Sequence, residues 1–194
     1  MASIQIKVPD WLDWICAWPA MRYRKRKYGY AYRRIYVGEG RYTIVDPQDF
    51  CRFNNFRWII NGNGKNIYAV RNVLLANGKR MLLRMHREIV RPRRKLLVDH
   101  RNGDGLDNRR ANLRPATHSQ NMQNRGKWRC KASSRFVGVC FDKEHKRWRA
   151  YIRCQGKRIY LGRYDNEIVA AKKYDAAAKK YYGEFARLNF PRGN

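Results

Sequence analysis

The chain has 194 residues, with 44 Lys plus Arg against 15 Asp plus Glu, a formal charge of +29 at pH 7 and a pI near 10.6. A balance of that sign and size points to a polyanionic partner rather than a small-molecule substrate. Hydrophobic residues make up 44% and aromatics 13%, enough apolar material to form cores, which excludes a purely disordered basic tail.

The length suits one ordinary domain or two small ones. The five cysteines are odd in number and contain no Cys-x-x-Cys pair, which argues against a disulfide scaffold or a zinc knuckle and fits a reducing compartment. Residues 1–40 form an aromatic and basic segment. Its apolar stretch WLDWICAWPAM, residues 11–21, is interrupted by Asp13 and Pro19 and is too short to span a bilayer. The basic run RYRKRKYGYAYRR follows that stretch instead of preceding it, the reverse of a signal peptide, so a cytosolic protein is expected. Three roles stay open for the segment: a helix packing its tryptophans on the next domain, a nucleic-acid contact, and, least favoured, an interfacial membrane anchor.

From Arg41 the pattern changes to short strand-like pieces, RYTIVD, FRWII, IYAVRNV and RMLLRMHREIV, with Asn-Gly dipeptides at 61–62, 63–64 and 77–78 as turn signals. A small antiparallel sheet is expected there. After the basic RPRRK stretch, LLVDH reads as a strand with Asp99 and His100 at its end, and Asn102-Gly103-Asp104-Gly105 as a turn. Thr117 and Gln120 have the spacing of a capping box, which opens a helix and places Asn121 one turn into it. Asp99 and Asn121 offer two oxygen ligands for one hard divalent cation, Mg²⁺ or Mn²⁺. His100, with an ordinary imidazole pKa of about 6.5, is the natural general base for taking a proton from water.

A second unit is expected from about Trp128, giving domains 1–40, 41–127 and 128–194. SSRFVGVCFD, KRWRAYIRCQGKRIYLGRYD and NEIVAAKKYDAAAKKYYGEFARLNF read as three strands and one helix. In the middle strand Trp148, Ala150 and Ile152 alternate with Arg147, Arg149, Tyr151 and Arg153. In the third, Ile159 and Leu161 turn inward and Arg158 and Tyr160 outward. Ala170, Ala171, Tyr174, Ala177, Ala178 and Tyr181 form the apolar stripe of the helix, which Gly183 stops. The open face of such a sheet fits the major groove of double-stranded DNA, where Arg reads guanine with two hydrogen bonds.

VDHRNGDGLDNRRANLRPATHSQN resembles the HNH endonuclease signature in its homing form, a ββα-metal fold. The resemblance implies His100 as general base, Asp99 and Asn121 on the metal with His118 as a rival ligand, and Asn112 bracing the loop. His86 commonly precedes the motif in similar proteins, in a structural or phosphate-binding role. GV, RWRAYIR and YLGRYDNEIVAAKKYDAAAKKYYGEFARLNF, followed by Pro191, resemble the plant ethylene-response-factor DNA-binding domain. That implies contacts from Arg147, Arg153, Arg158 and Tyr160 to bases or phosphates. Val137 and Cys140 stand where plant members carry arginines, so the plant target sequence does not carry over.

Together these features imply an α+β protein: a ββα-metal domain preceded by a small antiparallel sheet and followed by a three-stranded antiparallel sheet packed on one α-helix. The activity implied is site-specific DNA cleavage with one metal per site, in the DNA-associated cytoplasm of a prokaryote or phage. One such site cuts one strand, so both a nicking monomer and a double-strand-cutting dimer are open. The alternative is a noncatalytic sequence-specific DNA-binding regulator that keeps the HNH shell as scaffold.

Overall fold

The computed structural model describes residues 10–64, 66–125 and 133–191. The expected boundary at 127–128 and the side chains of Trp11 and Trp14 lie outside the described residues. The chain is mixed α and β with antiparallel sheets, and it divides into two compact units, Met1–Pro115 and Ala116–Asn194.

The first unit opens on α1, Asp10–Tyr28, whose last turn carries Lys25, Arg26 and Lys27 where the helix dipole favours cations. Trp18 is exposed rather than packed, with the Arg22 guanidinium 5.1 Å from its ring centre. Among the described residues no helix is long and apolar enough to cross a membrane. Strands β1, Arg33–Gly38, and β2, Arg41–Val45, form a hairpin that turns Ile35, Val37, Thr43 and Val45 inward. Asp46 and Pro47 then start α2, Pro47–Asn54, because proline at the first helical position has its φ already set and no N–H to lose. The helix buries Phe50 and Phe53 against Trp58 and Met85.

Strands β3, Ile59–Asn63, β4, Asn66–Leu74, and β5, Arg80–Arg84, make a three-stranded meander with β4 central. The turn between β3 and β4 falls after Asn63. Asn61 and Gly62 therefore lie within β3, opposite Tyr68 and Ile67, Asn63 closes the strand opposite Asn66, and Gly64 and the Asn77-Gly78 pair lie in turns. RMLLRMHREIV is also more than a strand: the chain leaves β5 at Met85 and forms α3, Met85–Val90, burying Met85, His86 and Ile89 at helical spacing. Strand β6, Leu97–His100, pairs with β7, Leu113–Ala116, across the loop that carries the Asn-Gly-Asp-Gly turn.

In the second unit the capping box forms as its spacing requires. Gln120 N–H donates to Thr117 Oγ1 (3.2 Å) and Thr117 N–H to Gln120 Oε1 (2.8 Å), opening α4, His118–Gln123. Strands β8, Val139–Asp142, β9, Arg147–Cys154, and β10, Lys157–Tyr164, follow in the spatial order β10-β9-β8. Helix α5, Glu167–Tyr182, covers one face, with Ala150 and Ile152 packed on Ala170, Ala171, Tyr174 and Ala178. Alanines let the helix axis approach the sheet closely. Tyr181, expected on the inner stripe, is exposed, and Tyr182 packs in its place. The buried carboxylate of Asp175 accepts from Asn189 N–H and Phe190 N–H, each at 2.8 Å, while Asn189 Oδ1 accepts from Val137 N–H at 2.7 Å. These bonds tie the 189–190 segment to α5 and to the residues just ahead of β8. Asp175→Ala leaves two backbone donors and Asn189 without their acceptor, and is expected to destabilise this unit by about 2–4 kcal/mol. A lower denaturation midpoint with an unchanged slope measures it.

Candidate functional site

Two groups of residues carry chemistry, one in each unit. In the first unit, Asp99, His100 and Asn112 are all buried at the β6–β7 loop. The Oδ2 of Asp99 accepts from Arg114 Nε at 2.8 Å and lies 2.7 Å from Arg114 Nη2, an ion pair shielded from solvent on both sides. Asn112 spans the loop: its Nδ2 donates to Asn102 Oδ1 (3.0 Å) and to the Asp107 carbonyl (2.8 Å), and its Oδ1 accepts from Asn102 N–H (3.0 Å).

The orientation of His100 follows from a hydrogen-bond chain that the sequence reading did not find. Thr43 Oγ1 donates its single proton to the Leu106 carbonyl at 2.7 Å, so it can only accept from Asn108 Nδ2, also at 2.7 Å. This turns Asn108 Oδ1 toward His100 Nε2, at 3.4 Å. An acceptor there requires Nε2 to carry the proton, which leaves Nδ1 as the basic nitrogen of the neutral ring. Burial lowers the His100 pKa below the ordinary imidazole value, against the opposing pull of Asn108 and of the Asp99, Asp104 and Asp107 carboxylates. A neutral ring at pH 7 is the form a general base needs.

The loop sits hard against β4. A Cβ on Gly105 would meet the Ile67 carbonyl at 2.1 Å and the Tyr68 ring at 2.7 Å, so only glycine fits. Tyr68, His86 and His100 cluster, with His86 edge to face against Tyr68 at 67° and against His100 at 87°, the two histidine ring centres 5.1 Å apart, and Tyr68 tilted at 41° to His100. Burial, with His100, Arg84 and Arg87 nearby, pushes the His86 pKa down to about 3, and its Nδ1 has no hydrogen-bond partner among the described residues. Asn121 and His118 lie on α4, in the second compact unit.

In that second unit Arg147, Arg149, Arg153, Arg158 and Tyr160 are exposed on the sheet and Tyr151 is half-buried. Arg147 is paired with Asp165 at 2.7 Å, and the Arg158 guanidinium stacks 3.7 Å from the centre of the Tyr151 ring. Arg149, Tyr151, Arg158, Tyr160 and Arg163 line an open hollow of about 350 Å³. Strict alternation would point Arg163 inward. A bulge between Tyr160 and Gly162 resets the register so that Arg163 lies opposite Arg149, and Gly162 takes φ +121, a conformation that favours glycine. At the end of β8 the buried Asp142 faces Arg149, Arg163 and His145. Burial pushes its pKa up, but the His145 backbone N–H and the two guanidiniums outweigh it and hold the carboxyl below its ordinary range.

The α+β framework with a three-stranded sheet on one helix is the class into which the comparisons fall. The family model described as AP2 domain matches residues 134–184, and that described as HNH endonuclease matches residues 92–123. An AP2-like ethylene-responsive transcription factor of Arabidopsis thaliana is 32% identical over 117 residues, covering 55% of this chain and 33% of the relative. The ethylene-responsive transcription factor WRI1 of the same plant is 40% identical over 77 residues, covering 40% of this chain and 17% of the relative. APETALA2-like protein 2 of Oryza sativa subsp. japonica is 43% identical over 58 residues, covering 30% and 13%. The chain thus spans a third or less of the length of these relatives. All three are plant proteins, and plant transcription factors work in the nucleus. This overturns the expectation of a prokaryotic or phage protein in the cytoplasm.

A histidine that the fold holds neutral binds its proton more readily when unfolded. Stability contributed by His86 is therefore present above pH 6.5 and lost as pH falls from 6.5 toward 3. The expected slope for one such histidine is about 1.4 kcal/mol per pH unit. His86→Phe keeps the ring contact and should flatten that acid slope, read as thermal midpoints across pH 4 to 7.

Proposed function

We propose that this chain is a sequence-specific binder of double-stranded DNA of the regulator type, with the open face of β8, β9 and β10 as its reading surface. The observation that carries the reading is the arrangement of Arg149, Arg153, Arg158, Arg163, Tyr151 and Tyr160 on the sheet face opposite α5, within the stretch similar to the AP2 domain. A two-stranded ribbon fits the major groove, and arginines on it can read guanine while others hold phosphates. The names of the relatives as transcription factors support a regulator. Enrichment of one motif from a randomised duplex library by the full chain tests the reading, and a library that stays random refutes it. Arg153→Ala or Arg158→Ala should weaken binding to the enriched duplex by about 1–3 kcal/mol. Loss of preference at one base pair marks a base contact, whereas uniform loss with a shallower salt dependence marks a phosphate contact.

A second reading, DNA cleavage at an HNH site of homing type, is favoured by the match over residues 92–123 and by the neutral, buried His100. The carboxylate of Asp99 and the amide oxygen of Asn121 are each hard donors of the kind Mg²⁺ or Mn²⁺ takes. Such an ion, when bound, neutralises charge on the departing 3′ oxygen. This chain's own part would be threefold: Arg114 fixes the Asp99 carboxylate, Asn112 braces the loop, and His100 Nδ1 takes the proton from water. His100→Ala should then reduce Mg²⁺-dependent cleavage of the enriched duplex roughly 10²–10⁴-fold with affinity unchanged. An intact duplex after incubation of the wild-type chain with Mg²⁺ leaves the regulator reading standing alone.

A further inference from the structure

We propose that Asp142 is a positioning residue that sets Arg149 and Arg163 as a paired, base-reading fork on the sheet. The inference rests on the DNA-binding reading above and adds one residue, Asp142, and a paired role for Arg149 and Arg163.

Arg149 and Arg163 are directly opposed across β9 and β10, two like charges in neighbouring positions. Like charges facing each other across strands are destabilising, so the pair needs a counter-charge. Asp142 ends β8 in register with Arg147, and its carboxylate is buried. Its Oδ2 takes no hydrogen bond of normal geometry among the described residues, yet Arg163 Nε lies at 3.3 Å, Arg149 Nε at 3.5 Å and His145 Nδ1 at 3.1 Å. The His145 backbone N–H closes on Oδ1 at 3.5 Å. A carboxylate with two guanidiniums and an imidazole spread around one oxygen serves all of them loosely.

What it does hold is direction. Both arginines approach through Nε, the inner nitrogen, while their side chains remain 44% and 38% exposed. Both residues line the hollow with Tyr151, Arg158 and Tyr160, and with Nε turned to the carboxylate the terminal nitrogens are the donors left to meet a base. Guanine recognition in the major groove needs two parallel donors in fixed orientation, and an arginine already held loses less freedom on binding. A phosphate clamp would be built differently. A carboxylate beside two phosphate-binding arginines repels the phosphate, so removing it would strengthen binding. The sign of the effect therefore separates the two roles.

The test uses the full chain and the duplex enriched from the randomised library, with a panel of its single-base variants at two salt concentrations. Asp142→Asn is expected to lower discrimination roughly tenfold at the same one or two base pairs that Arg149→Ala and Arg163→Ala affect, leaving the base pair read through Arg158 unchanged. In a chain already carrying Arg149→Ala and Arg163→Ala, Asp142→Asn should have no further effect on selectivity. Tighter binding to every duplex with selectivity intact, or full additivity with the arginine changes, overturns the inference. Should Asp142→Asn fail to fold, Asp142→Glu keeps the charge and shifts the contact by one methylene. It is expected to relax the same base pairs with the salt slope unchanged, and unaltered selectivity in it overturns the inference equally. A wild-type chain that enriches no motif refutes DNA reading as a whole, a result distinct from any of these.

Discussion

The hydroxyl of Thr43 has one proton, and its destination sets the chemistry available at the β6–β7 loop. Given to the Leu106 carbonyl, it fixes the amide of Asn108, and that amide fixes the tautomer of His100. The same strand also pairs by backbone with the loop, Ile44 N–H donating to the Leu106 carbonyl at 2.9 Å and Asn108 N–H to the Ile44 carbonyl at 2.8 Å. The hairpin of β1 and β2 is thus the support of the loop. Asn108 is fully buried, so a break in this chain would leave an amide with no water to turn to. Gly105 against β4 and Asn112 across the loop close the remaining sides.

What the sequence made legible follows local rules, and what it hid depends on contacts distant in the chain. The capping box at Thr117 and Gln120 is a short-range pattern and forms as spaced. The inward set Trp148, Ala150, Ile152 and the outward set of arginines in β9 follow from a period of two that nothing interrupts. In β10 the same period fails after Tyr160, because a bulge adds one residue and exchanges the faces of Arg163 and Tyr164. Gly162 was the available signal, since glycine inside a strand often marks a bulge. Thr43 and Asn108 gave no signal at all: they are 65 residues apart and unremarkable singly. The strand expected over RMLLRMHREIV becomes a helix at Met85, where Met85, His86 and Ile89 reach the core at helical spacing, a signal of too few residues to stand out in the sequence against the preceding strand pattern.

The two halves place opposite demands on their surroundings. His100 and His86 are kept neutral by burial, which needs a closed, dry site packed around Tyr68. The sheet face needs exposure, since charged groups that meet a polyanion must stay in water until it arrives. Alternation on a three-stranded sheet supplies the second at low structural cost, one face on α5 and one open. A loop braced by a hairpin, a glycine and an asparagine supplies the first.

The scarce carboxylates show how a chain of charge +29 folds without self-repulsion dominating. Several aspartates are paired with arginines. Asp49 takes Arg110 with two bonds at 2.7 and 2.8 Å, and Asp46 takes the Arg110 backbone N–H at 2.7 Å. Asp107 grips Arg109, whose guanidinium lies 3.4 Å from the centre of the Tyr30 ring, and Asp99 holds Arg114. In the second unit Asp165 holds Arg147 while Asp142 alone serves two arginines. In the first unit these pairings tie the loop to α2 and its start, stiffen the loop from within, and join β6 to β7, and a lost partner there would leave a buried carboxylate uncompensated. On the sheet the pairing is looser and the guanidinium ends stay exposed. An acid placed next to a cation in this chain therefore reads in two ways: against the core it locks a loop, and at the rim of the sheet it aims an arginine.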